Sequence, residues 1–201
     1  LRPEDRQPPA PRPTVGDSPP AAGERRRLTT PPTLVERLAK ALCLNLKAFP
    51  DPAEAGWAAD LLETERRNAP RRSWLPFHRA RLLIAAGRPA EARSDMAALV
   101  RFKPREFWSW AGLAETFPGN ERDARLACLC RAVQCAAKPE YLVQVRQALG
   151  LLLLATGRFA EARRELETAR DIRIAGQWRI PPALAQALDR PEIQDATMPE
   201  N

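Results

Sequence analysis

The sequence predicts an all-α fold, an α-solenoid of antiparallel helix hairpins preceded by a disordered, Pro-rich N-terminal leader. Three observations carry this. Apolar residues recur at helical spacing from residue 33 onward, and no run alternates with the period of a strand. Proline, glycine and asparagine cut the chain into helix-length pieces. One pattern is written twice, Gly87-Arg-Pro-Ala-Glu-Ala-Arg93 and Gly157-Arg-Phe-Ala-Glu-Ala-Arg163, seventy residues apart.

Taken in order, residues 1–32 hold nine of the 21 prolines, few large apolar residues and the Arg25-Arg26-Arg27 cluster, which reads as a disordered leader. Residues 33–70 form a degenerate or capping helix pair. Thr33 is the expected N-cap of the first helix, whose Leu34, Leu38, Ala41 and Leu42 share a face until Pro50 stops it. Pro52 opens the second, which carries Trp57, Leu61 and Leu62.

Three helix hairpins follow over residues 71–176. The first pairs Trp74–Ala86 with Arg88–Phe102, and the second pairs Arg105–Phe117 with Glu121–Ala137. In that last helix Leu126, Leu129, Val133 and Ala136 make one stripe. Trp108 and Trp110 point to opposite sides of their helix, so one should be buried and the other open to a partner. The third hairpin pairs Glu140–Thr156 with Arg158–Ile174, and residues 177–201 are a cap and tail. Trp178 is placed to cover the end of the array.

Composition bounds the rest. With 201 residues and 44% hydrophobic, the chain can bury a core in one domain or one repeat array. Its longest uncharged apolar run, 148–157, is half of the roughly 20 residues that cross a bilayer. The N-terminus lacks the apolar segment of an export signal, so a cytoplasmic location is expected. The net charge of +7 comes from a chain with 28 arginines and four lysines, but acids are mixed among them, as on a solvated face. The cysteines Cys43, Cys128, Cys130 and Cys135 do not converge: 128 and 135 are two helical turns apart and 130 points away, so they read as packing residues and no metal or cofactor is expected.

Helix pairs recurring about every 34 residues resemble the tetratricopeptide repeat, TPR. The seventy-residue offset fits two such units plus a two-residue insertion in the middle one. Gly87, Gly119 and Gly157 fall at the turn, Ala80, Gly112 and Gly150 at the small position of the first helix, and Ala92, Ala124 and Ala162 at that of the second. Trp108, Met96, Leu166 and Pro104 also match, while Arg131 and Ile174 depart from the pattern. The stretch from Phe107 to Pro181 is similar, too, to the TPR region of bacterial TOTE conflict-system proteins, which carry a separate RNA-binding domain.

The resemblance implies a non-catalytic scaffold whose first helices line a concave groove for a peptide or partner protein. It places Trp74, Phe77, Arg81, Ser109, Leu113, Gln144 and Gln147 in that groove. The alternative is an RNA- or DNA-associated module that uses the arginine-rich surfaces, in a bacterial defence or conflict system, together with a separate nucleic-acid-binding domain. Catalysis has little to stand on. A lone His78, no nucleophile elbow, no zinc-protease motif and no phosphate loop leave no acid–base constellation, so no catalytic residue and no metal ligand is assigned.

Overall fold

The computed structural model describes residues 34–44, 51–68, 74–135 and 138–197. The expected leader, the Thr33 cap and Ala136 lie outside the described residues. Among those described there is no strand, and the helices run α1 Leu34–Leu44, α2 Pro52–Asn68, α3 Trp74–Ala85, α4 Pro89–Phe102, α5 Phe107–Glu115, α6 Arg122–Gln134, α7 Pro139–Ala155, α8 Phe159–Ala175, α9 Pro182–Leu188 and α10 Pro191–Gln194. None is long and apolar enough to cross a membrane.

Packing is most extensive between α7 and α8, followed by α2 with α3, α5 with α6 and α3 with α4 to nearly equal extents; α3–α4, α5–α6 and α7–α8 are the three expected hairpins. Ahead of them, α1 and α2 each pack more on α3 than on one another. At the other end α9 and α10 lie on α8, where Leu184 and Ile193 are buried and Arg163 donates to the Gln194 and Ala196 carbonyls at 2.9 and 3.0 Å. The Trp178 indole lies against Gly176, so close that an added Cβ would sit 3.0–3.3 Å from the ring.

The repeated heptapeptide is a chain reversal. Gly87 and Gly157 have φ of 73° and 75°, where a side chain is strained, and nothing crowds either position. Their N–H groups donate to Ile84 and Leu154, and the next N–H groups, of Arg88 and Arg158, reach back to Leu83 and Leu153 at 2.8 and 3.0 Å. This pair of hydrogen bonds closes one helix, and the next begins after a connection of three residues. The end of α8 uses the same closure, with Gln177 (φ 55°) in the left-handed position rather than the neighbouring Gly176.

The middle hairpin is built differently. Its helices are separated by residues 116–121, a turn twice as long, and Gly119 has no positive φ. The expected small-residue register therefore fails there. Ala124 is only half-buried, whereas Cys128, Ala132 and Cys135 are buried and stand where Ala92, Met96 and Leu99 stand in α4 and Ala162, Leu166 and Ala169 in α8. In α5 the buried Ser109, Leu113 and Ala114 match Leu75, Arg79 and Ala80 of α3 and Val145, Leu149 and Gly150 of α7. The buried small residues at the corresponding places are thus Ala114 and Cys128, fourteen residues apart instead of twelve. The two inserted residues sit in the turn. Gly112 serves a different contact, since a Cβ there would meet Met96 Cε at 2.3 Å, and so it admits the preceding hairpin's second helix. In the third hairpin Gly150 is the true crossing point, because its Cβ would come 2.6 Å from Leu166 Cγ and 3.2 Å from the Leu166 backbone nitrogen.

One polar group interrupts this apolar register. Arg79 occupies the place of Leu113 and Leu149, is buried, and forms ion pairs with Asp95 of α4 and, at 3.2 Å, Glu63 of α2. Arg66 and Arg67 also hold Glu63, and their hydrogen bonds pull its pKa down to about 2. Burial pushes the Asp95 carboxyl up despite the guanidinium beside it. At Asp95 desolvation therefore outweighs the pull of the guanidinium, as it can in a buried ion pair.

Candidate functional site

Once each first helix has turned its tight-packing residues inward, a second set at the same register remains partly open. It comprises Trp74, Phe77 and Arg81 on α3, Trp108, Ala111 and Glu115 on α5, and Gln144, Gln147 and Leu151 on α7. None of the nine is buried. The helical spacing of 3 and 4 residues puts each trio on one face.

The Trp74 and Trp108 rings stack at 4.8 Å with planes 22° apart, and Phe77 meets both edge-on at 5.9 and 5.4 Å. Trp74 nevertheless remains 44% exposed. Trp108 is oriented by its indole N–H, which donates to Glu106 at 3.1 Å, and Trp110 on the same helix donates to the Pro104 carbonyl. Both of these tryptophans are half-buried, where the sequence predicts one inside and one outside. A second stack, Phe107 on Tyr141 at 6.3 Å, joins α5 to α7.

Beside the indoles lies charge. Among the described residues no carboxylate approaches Arg81 closely enough for an ion pair, although its charge acts on Glu115, His78 and Cys43. Glu115 keeps an exposed flank, but its surroundings desolvate the carboxyl and raise its pKa, with Arg81 and Arg125 pulling the other way. His78, whose ring packs on Trp74 and Phe77, is lowered to about 4 by burial, then by the charges of Arg81 and Lys40. It is neutral at physiological pH. Burial raises the Cys43 thiol to about 11, and Cys43, Cys128 and Cys135 are buried free thiols. Among the described residues no group of three His, Cys, Asp or Glu side chains could hold a metal ion.

Five of the seven residues expected in the groove, Trp74, Phe77, Arg81, Gln144 and Gln147, are in this open set. Gln147 already accepts a bond from Arg173 at 3.3 Å, whereas Gln144 is exposed. Ser109 and Leu113 lie elsewhere. Ser109 has no exposed surface and its hydroxyl bonds to the Lys103 and Glu106 carbonyls, while Leu113 is a core residue. The expectation counts back from Gly119, but the two inserted residues lie in the turn after α5, so α5 keeps a 34-residue step from α3 and Ala111 and Glu115 stand at those positions instead. The thirty-four-residue step from Trp74 to Trp108 was the signal in the sequence that could have shown this.

Residues 73–201 match the family described as Domain of unknown function (DUF7017). The chain belongs to this family. Its matched segment starts one residue before α3, so it contains all nine open positions and leaves α1 and α2 outside. Among solved structures the chain is similar to a thermophilic TPR protein of Thermus thermophilus, with 19% identity over 76% of this chain and 98% of the other and a TM-score of 0.37. No curated protein matches it.

Proposed function

We propose that this DUF7017 protein is a non-catalytic interaction scaffold that receives a peptide segment of a partner protein across the open face of α3, α5 and α7. The observation that carries the reading is the Trp74–Trp108 stack, an indole pair held at a fixed spacing yet 44% exposed at Trp74. Large rigid rings left in water on a repeat array are suited to anchor a partner's apolar side chain. Arg81 adds a guanidinium free to take a carboxylate, and Gln144 offers both a donor and an acceptor to a peptide backbone.

Nothing comparable favours the nucleic-acid reading. Arg79, Arg88, Arg93, Arg146 and Arg158 each face a carboxylate within 3.2 Å, so these five charges are paired within the chain.

Selection of binders from a displayed random-peptide library on the full chain, followed by titration of the enriched peptides, tests the proposal. Trp108→Ala should weaken them at least about tenfold, the loss of a single aromatic hot spot, with helicity unchanged. Peptides that bind Trp108→Ala and Arg81→Glu as well as the original chain would contradict it. Single-stranded RNA serves as the control ligand, and RNA binding that falls steeply with salt would replace the peptide reading with the alternative.

A further inference from the structure

We propose that α1 and α2 form a self-association face through which two copies of this chain join about a two-fold axis. The face is apolar. Leu34 and Leu38 stand one turn apart on α1, and Trp57 and Leu61 one turn apart on α2; they are 77%, 43%, 68% and 39% exposed. Between the helices lies a cleft of about 550 Å³, lined by Leu42, Ala53 and Ala58 with Trp57 and Glu54 at its side. Contiguous apolar surface of this kind marks an interface.

Charge selects the occupant. On α1 the exposed charges are basic, Arg37 and Lys40, while before its first base, Arg66, α2 carries the acids Glu54 and Asp60, the latter held by Arg88 at 2.9 Å. Among the described residues neither Arg37 nor Glu54 has an ion pair. An apolar strip with a basic flank on one side and an acidic flank on the other is complementary to itself after a half-turn, which is the requirement of a two-fold interface. In the dimer α1 of each copy lies against α2 of the other, with each Trp57 entering the partner's cleft. The proposal is independent of the α3–α5–α7 face, since it uses neither those helices nor their ligand.

Sedimentation velocity of the full chain across a concentration series tests it. The expected result is a reversible species of twice the 22.4 kDa chain mass. Trp57→Glu should raise its dissociation constant at least tenfold with an unaltered circular dichroism spectrum. The doubly reversed Arg37→Glu/Lys40→Glu chain and Glu54→Lys should each self-associate poorly and recover a dimer when mixed. A full chain that stays monomeric at every concentration, whether its own residues 1–33 or another protein cover the face, overturns the proposal. A dimer indifferent to Trp57→Glu, or reversed chains that do not recover on mixing, would do the same.

Discussion

The outer hairpins, α3–α4 and α7–α8, and the middle one, α5–α6, solve the same packing problem with different chemistry. The outer two use a left-handed glycine, a three-residue connection and buried small residues twelve apart, Ala80 and Ala92, Gly150 and Ala162. The middle hairpin has a six-residue connection, no residue of positive φ, and its corresponding buried residues are Ala114 and Cys128. The difference teaches that the array preserves the contact between helices rather than the spacing in sequence. A turn can absorb two residues while α5 keeps its 34-residue step from α3, so a register counted back from Gly119 misassigns every residue of α5 by two positions.

The hairpins also differ in the residue at one equivalent buried position, Arg79 against Leu113 and Leu149, and here the largest effect is expected. Arg79→Leu should destabilise the protein by about 3–5 kcal/mol in denaturant unfolding, because Asp95 loses its counter-ion inside the protein. Arg79→Leu combined with Asp95→Leu should recover most of that loss, since the pair is dominated by desolvation. A double variant as unstable as the single one would show that the ion pair itself, not the stranded acid, holds α2, α3 and α4 together.

A second contrast is between turns. Gly157→Ala should cost roughly 1–2 kcal/mol, the cost of placing a Cβ at positive φ, while Gly119→Ala in the middle turn should change the melting temperature negligibly. Equal losses at the two glycines would contradict the distinction drawn between the turns.

A third contrast concerns pH and again belongs to the first hairpin, where His78 stands in the place of Gly112 and Ala148. Its folded pKa of about 4 lies below the roughly 6.5 of an unfolded histidine. The folded chain therefore binds fewer protons in that interval, and stability rises with pH across it. The contribution is complete above about pH 6.5 and is lost as the pH falls towards 4. Melting temperatures measured from pH 7 to 5 should decline in the original chain and decline less in His78→Gln; parallel curves would remove His78 as the cause.

Much of this fold could be read from the sequence because its punctuation is strong. The Gly-Arg-x-Ala-Glu-Ala-Arg copies state both the turn and the first residues of α4 and α8, and apolar spacing supplies the helices between. What could not be read was the placement of the insertion. Ala124 and Gly112 are small residues near the expected positions, and nothing local distinguishes them from Ala114 and Cys128 until burial does. The same ambiguity displaced Ser109 and Leu113 from the core to the groove. The Arg79–Asp95 pair was illegible for another reason: sixteen residues separate partners that look like ordinary surface charges on two amphipathic helices.

The register of the middle hairpin decides which α5 side chains face a partner, so its most direct test is the thermal unfolding of Cys128→Leu beside Ala124→Leu. Overpacking at a buried crossing costs roughly 1–3 kcal/mol, and Cys128→Leu should show that loss while Ala124→Leu, half-exposed, melts close to the original chain. The reverse order would return Ser109 and Leu113 to the open face and remove Trp108 and Glu115 from it.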